Sequence, residues 1–148
     1  MSPAGSGPLA WASSRRRVDA ILTTAKRRCG SLPSLSLRIG WLAGSQGAIR
    51  FTALPVQALA ELRHALIVAT AVARGHRERR SALDGYFWPH VSIAYCNAHS
   101  PVAARLAPLR ACSPVPVKVA AVHLAELRRE GRGYRWHVIE RVPLCRDS

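Results

Sequence analysis

The residues best suited to chemistry in this chain are a histidine and a serine two positions apart, His90 and Ser92. They lie in the run FWPHVSIAYCN at positions 87–97, which alternates in polarity and is rich in residues that favour strands. Residues two apart on a strand point to the same face of the sheet, so these two side chains project together. An imidazole transfers protons near neutral pH, and a hydroxyl donates hydrogen bonds to phosphate oxygens. The spacing therefore predicts a phosphate-handling pair.

The residues around the pair favour this interpretation over a chance His-x-Ser on a strand. Pro89 suits the first position of a strand or an edge strand. Phe87 and Trp88 supply an apolar wall, and Tyr95 and Asn97 add polar groups at the far end. Three residues are expected to alternate with the pair and point to the other face: Val91, Ile93 and Tyr95.

The hydrophobic pattern predicts the elements that must hold this strand in place. Their order is helix, strand, strand, helix, strand, helix, strand, strand, which indicates an α+β fold with a mostly antiparallel sheet flanked by helices. Residues 1–14 are rich in glycine, proline and serine and are expected to be disordered, with a single domain over 15–145. The predicted bounds are 15–29, 35–41, 48–53, 55–74, the motif strand, 101–111, 115–127 and 134–142.

The bulk composition indicates a globular protein of one domain. The chain has 148 residues, of which 49% are hydrophobic, which is enough for a real core. No apolar run of bilayer-spanning length and no signal peptide are recognised in the sequence. The expectation is therefore a cytoplasmic protein without a membrane partner.

The net charge of +14 suits polyanions such as RNA or nucleotide ends. Because nearly all the basic residues are arginine, the codon bias of a GC-rich genome remains an alternative explanation. One basic cluster lies just upstream of the motif strand, where it could guide a phosphate chain to the site. Three arginines of this cluster are expected to contact substrate: Arg77, Arg79 and Arg80.

The four cysteines are widely scattered and form no Cys-x-x-Cys pair. Reduced, buried thiols are the expected state in a cytosolic protein, rather than ligands of a metal site. The sequence thus predicts no metal and no cofactor.

The segment from Trp88 to Tyr95, with Asn97 after it, resembles the second His-x-Ser/Thr motif of the 2′-5′ RNA ligase family. This family belongs to the two-histidine phosphoesterases, and the resemblance to its bacterial members extends over about 18–144. It implies two similar lobes, each giving one motif strand to a central groove. It also implies joining or cleavage of 2′-5′ or 2′,3′-cyclic phosphate linkages at RNA or nucleotide ends, without metal or ATP. His90 would then transfer a proton, Ser92 would hold phosphate oxygens, and Tyr95 would contact substrate.

The chain departs from the family pattern because the first His-x-Ser/Thr motif is missing. No histidine precedes His64, so the chain resembles an N-terminally incomplete member. One histidine cannot easily act as base and acid on opposite sides of one phosphorus. His123 and His137 are candidates to replace the missing group, but neither has Ser or Thr two positions later.

Three explanations for the missing motif are left open. The true coding start could differ, the protein could bind phosphates without turnover, or a second chain could complete the groove. Loss of a strand would expose a sheet edge, which allows a homodimer. The sequence therefore leaves open whether the chain is an enzyme, an inactive RNA or nucleotide binder, or a basic domain without a phosphate site.

Overall fold

The alternating segments form antiparallel sheets, with helices between them along the chain. The computed structural model describes residues 8–45, 48–75, 87–95, 102–131 and 133–145. Its elements are α1 (Pro8–Cys29), β1 (Leu35–Ser45), β2 (Ala48–Leu54), α2 (Val56–Ala73), β3 (His90–Tyr95), α3 (Val102–Arg110), β4 (Val115–Val119), β5 (Ala121–Glu130) and β6 (Gly133–Pro143). Contacts divide the chain into two compact units, one of 1–34, 62–81 and 120–148 and the other of 35–61 and 82–119.

The second unit contains a four-stranded antiparallel sheet in the order β3-β2-β1-β4. Leu35 and Leu37 of β1 and Ala53 of β2 are buried, as expected for one apolar face of an alternating strand. Leu106 of α3, which contacts β1, is also buried. The motif strand β3 is therefore an edge strand of this sheet, and one face of the sheet packs into the hydrophobic core of the unit.

Three β-bulges shift the strand registers. In β1 the extra residue is Trp41, which adopts a left-handed φ of 55°. The extra residues of β3 and β6 are Ile93 and Ile139. An extra residue in one strand exchanges the faces of all residues beyond it, so simple alternation does not give the correct face on both sides of a bulge.

The first unit combines α1 with the β5–β6 hairpin. Val142 and Leu144 are buried, together with Ala25 and Cys29 of α1, and burial raises the pKa of the Cys29 thiol. Lys26 Nζ lies 3.6 Å from a Glu140 carboxylate oxygen, which joins α1 to β6. The apolar contact and the ion pair hold the helix against the base of the hairpin.

The expectation of buried thiols is confirmed for Cys29 and wrong for two other described cysteines, Cys112 and Cys145, which are exposed.

Two predicted elements differ from the structure by more than a shift of their ends or by a whole helical turn or more. Helix α1 begins at Pro8, so residues 8–14, predicted to be disordered, are helical, whereas residues 1–7 lie outside the described residues. The single strand predicted over 115–127 is two strands separated at Ala120, and these belong to different sheets. The alternation runs on through Ala120, so the sequence pattern does not show the break.

Helix α2 corrects a further expectation, that no apolar run reaches bilayer-spanning length. Val56–Ala73 is long and apolar enough by length and composition to cross a membrane. The uninterrupted apolar stretch between Arg63 and Arg74 is too short to span a bilayer, but the helix begins well before Arg63. Core helices of soluble proteins share these properties, and α2 has a set of buried residues: Leu62, Ala65, Val68 and Ala69.

Candidate functional site

His90 lies at the start of β3 with its ring exposed and held in one orientation. Its Nδ1 lies 2.8 Å from the carbonyl oxygen of Trp88. A carbonyl oxygen can only accept a hydrogen bond, so Nδ1 carries the proton and donates it. In the neutral ring this leaves the lone pair on Nε2, which is the atom able to take a proton from a reactant.

The residues before His90 fix its backbone. Pro89 is buried, and its carbonyl oxygen accepts a hydrogen bond of 3.0 Å from the amide of Ala53 on β2. The Trp88 and His90 rings meet edge to face, with centroids 6.4 Å apart and an interplanar angle of 61°. The ring is therefore positioned by the sheet and by the Trp88 indole.

Ser92 is half-buried and lies on the same face as His90. The β2–β3 register pairs His90 with Thr52 and Ser92 with Arg50. Residues directly opposite each other in an antiparallel pair share a face and are close neighbours. One face of the two strands therefore carries an imidazole, two hydroxyls and a guanidinium side by side.

Arg50 is a residue that the sequence analysis missed. Its Nε is buried and makes no hydrogen bond with any described residue. A buried donor without a partner is costly, and carboxylate and phosphate oxygens are the strong acceptors for a guanidinium N–H. Its position beside Ser92 marks where such an oxygen could bind.

The same face of the sheet carries a permanent cation on three of its four strands. Register places Arg38 of β1 and Lys118 of β4 on the face that holds Thr52 and His90. The described strands β1 to β4 contain no aspartate or glutamate. We call this surface the cationic face, defined by five residues: Arg38, Arg50, His90, Ser92 and Lys118. It is suited to bind an anion.

Tyr95 lies on the cationic face rather than opposite it. The sequence alternation predicts that Tyr95 points away from His90, but the extra residue at Ile93 reverses the strand beyond it. Tyr95 then pairs with Ala48, on the face of Arg50 and Thr52, and its side chain is 72% exposed. That Tyr95 contacts substrate stays a prediction, and its exposed position on the face of His90 and Ser92 is compatible with that role.

The remaining predicted site residues lie outside the described strands of this sheet. Arg77, Arg79, Arg80 and Asn97 lie outside the described residues. His123 and His137 are exposed and belong to the β5–β6 hairpin of the other unit. The described residues include no group of three or more His, Cys, Asp or Glu side chains that could hold a metal ion.

Comparison with known proteins identifies the family. The family model for the 2′-5′ RNA ligase superfamily matches residues 7–131. The chain belongs to the 2′-5′ RNA ligase superfamily, which confirms the resemblance seen in the motif segment. No curated protein matches the sequence.

The fold is similar to a solved structure. The crystal structure of TT0787 of Thermus thermophilus matches with a TM-score of 0.58 and 18% sequence identity. The match covers 89% of this chain and 72% of that chain. At this identity the likeness shows the fold alone, and it confirms the predicted α+β class with antiparallel strands flanked by helices.

Proposed function

We propose that this chain is a 2′-5′ RNA ligase or 2′,3′-cyclic phosphodiesterase type of protein that acts on phosphate ends of RNA or nucleotides. The cationic face is the observation that supports it most, because three permanent cations share one sheet face with His90 and no described strand of that sheet has a carboxylate. Members of the superfamily typically act on such phosphate ends, which favours the same substrate class.

His90 is the proton-transfer group in this proposal. Its Nε2 accepts a proton from the attacking hydroxyl or water as the new P–O bond forms. The P–O bond to the leaving oxygen breaks, and that oxygen takes a proton from solvent water. Ser92 and Arg50 donate hydrogen bonds to the non-bridging oxygens, whose negative charge grows in the transition state. The hydrogen bond of Nδ1 to the Trp88 carbonyl keeps the lone pair of the neutral ring on Nε2, where it can accept that proton.

A second candidate is a protein that binds phosphate ends without turnover. The observation that favours it is that His90 is the only histidine in the described strands of its sheet. An in-line displacement needs a proton donor on the side opposite the base, and one imidazole does not supply both. This candidate keeps the contacts of Ser92 and Arg50 and lacks only the acid.

The first test is hydrolysis of a nucleoside 2′,3′-cyclic phosphate by the wild type and by His90→Ala. We expect His90→Ala to lower kcat by roughly 10²–10⁴-fold, the usual contribution of a positioned general base. His64→Ala is the matched control, since it removes an exposed imidazole from α2, and it should retain the wild-type rate. Equal rates for the wild type and His90→Ala would reject the role of His90.

Binding separates the two candidates. An RNA ending in a 3′-phosphate should bind more tightly than the same RNA ending in a hydroxyl, and Ser92→Ala should reduce that difference. Binding with this preference but without hydrolysis or ligation would favour the inactive binder. Binding that ignores the terminal phosphate would contradict both candidates and point to a basic domain without a phosphate site.

A further inference from the structure

The β5–β6 hairpin has two faces of different chemistry, which the cross-strand pairs define. Leu127 pairs with Trp136, Arg129 with Tyr134 and Ala125 with Val138, so these residues share one face. The bulge at Ile139 places the pair of His123 and Arg141 on that face as well. We call it the aromatic face, and its defining residues are Leu127, Arg129, Tyr134, Trp136, Val138 and Arg141.

The other face holds every carboxylate of the hairpin. Glu126, Glu130 and Glu140 all lie there, paired across the strands with His137, Gly133 and Leu124. Each carboxylate has a cation within ion-pair distance: Arg128 at 3.0 Å from Glu126, Arg135 at 2.7 Å from Glu130, and Lys26 at 3.6 Å from Glu140. Ion pairs therefore neutralise much of the charge on this face, which we call the paired face.

The aromatic face has no such neutralisation. Neither Arg129 nor Arg141 forms an ion pair with any residue that the structure describes, and no carboxylate of β5 or β6 lies on their side. Trp136 is 71% exposed, Leu127 61% and Tyr134 60%. Two large aromatic rings thus stand in solvent between positive charges, at a considerable cost in exposed apolar area.

We propose that the aromatic face is a stacking surface for unpaired bases of single-stranded RNA. Flat aromatic rings bind bases through their π-faces, and neighbouring arginines bind the backbone phosphates, which is how proteins hold single strands without reading a sequence. The excess of cations on this face favours a polyanion over an apolar protein partner or a second copy of the same positive chain. The choice of RNA as the polyanion rests on the proposed function.

The test is the affinity for a short single-stranded RNA ending in a 3′-hydroxyl, measured by fluorescence anisotropy. Such a probe has no terminal phosphate, so its binding is independent of the chemistry proposed for His90. We expect Trp136→Ala and Tyr134→Ala each to weaken binding roughly tenfold, as the loss of one stacked base does. His137→Ala is the matched control, because it truncates an exposed ring on the paired face, and it should bind like the wild type.

The charge contribution is tested with a second matched pair. Arg129→Ala should weaken binding and lower the slope of log Kd against log salt by about 0.7, the value for one lost phosphate contact on a single strand. Arg135→Ala removes the same charge from the paired face and should leave that slope closer to the wild-type value. Trp136→Phe, which keeps a ring, should retain most of the affinity.

Several results would overturn the proposal. Trp136→Ala binding as tightly as His137→Ala, or double-stranded RNA binding as well as single-stranded RNA, would exclude base stacking. A wild-type dimer that Trp136→Ala dissociates, with unchanged affinity for RNA, would assign the face to self-association instead. Binding that depends on Trp136 in a protein that never hydrolyses a cyclic phosphate would keep this inference and reject only the active form of the proposed function.

Discussion

At the scale of single residues, the candidate site combines an oriented imidazole, His90, with a guanidinium, Arg50, whose buried N–H lacks a hydrogen bond to any described residue. The Nδ1 hydrogen bond to Trp88 directs the chemistry of His90 to one ring nitrogen before any substrate arrives. Arg50 differs from His90 in this respect, because its buried Nε has no hydrogen-bond partner among the described residues. A ligand oxygen at this atom would remove a cost that the free protein carries, so ligand binding and stability are linked there.

This linkage gives a prediction for Arg50→Met, which replaces the apolar stem of the side chain by one of similar length and removes its donors. We expect the stability of the free protein to be unchanged or to rise by up to about 1–3 kcal/mol, the cost of one unsatisfied buried donor. The affinity for an RNA 3′-phosphate should fall. Thermal unfolding and a binding titration measure the two effects.

Arg38→Met is the control for Arg50→Met, since Arg38 is exposed on the same cationic face. Arg38→Met should weaken phosphate binding less than Arg50→Met does, and it should leave the free protein as stable as the wild type. A large loss of stability in Arg50→Met with unchanged phosphate affinity would instead show that Arg50 supports the fold.

At the scale of elements, regular alternation was sufficient to predict most strands but not which face their residues take beyond a bulge. The predicted strands at 35–41, 48–53 and 134–142 all exist, and each is somewhat longer in the structure. His90 and Ser92 share a face as predicted, because no bulge separates them. Tyr95 could not be placed from the sequence, since nothing in its local pattern shows the extra residue at Ile93.

Arg50 shows a different limit of sequence reasoning. The Arg-x-Thr spacing at Arg50 and Thr52 indicates that both side chains share a face, but not that β2 lies beside the motif strand in this register. Pairing between distant strands is set by tertiary contacts, which one sequence does not reveal. Half of the candidate site was therefore predictable. The spacing of His90 and Ser92 predicts the imidazole and the hydroxyl, whereas the position of the cations beside them depends on the pairing of the strands.

Strand β1 offers a prediction about packing. A Cβ atom at Gly40 would lie 2.6 Å from Pro114 Cβ and 2.7 Å from Pro114 Cα, which is closer than van der Waals contact allows. Gly40→Ala should therefore destabilise the protein by about 1–3 kcal/mol, as other overpacked sites do. Denaturant unfolding measures the change.

Gly133→Ala is the control for Gly40→Ala, because a Cβ atom there would lie 3.8 Å from the Glu130 carbonyl oxygen, which is ordinary van der Waals contact. It should change stability far less. Equal effects of the two substitutions would show that loss of glycine flexibility, rather than the contact with Pro114, decides the outcome at Gly40.

At the scale of the whole molecule, the self-association expected from the sequence stays a prediction. β3 forms one edge of its sheet, and Val91 and Ile93 on it are exposed. Exposed edges with apolar side chains favour pairing between chains, and a charge placed on them prevents it. The high net charge of +14 opposes that association, most strongly at low salt.

We expect the wild type to sediment as a dimer at moderate salt and Val91→Lys as a monomer. Val115→Lys, which places the same charge on an exposed valine of the other edge strand β4, is the control and should leave the dimer intact. A wild type that stays monomeric at every concentration would contradict the prediction, and loss of the dimer only in Val115→Lys would move the contact to β4.

The extra residue at Ile93 also decides how this site should be recognised in other chains. Three positions separate Ser92 from Tyr95 here, yet the bulge puts both side chains on one face. A homologue without the bulge would keep the same surface with its aromatic ring two positions after the hydroxyl, because removing the extra residue leaves the cross-strand partners unchanged. An alignment of such a homologue with this chain should place a gap at Ile93. A sequence motif with a fixed spacing between the hydroxyl and the aromatic residue would miss chains that have the same surface without the bulge.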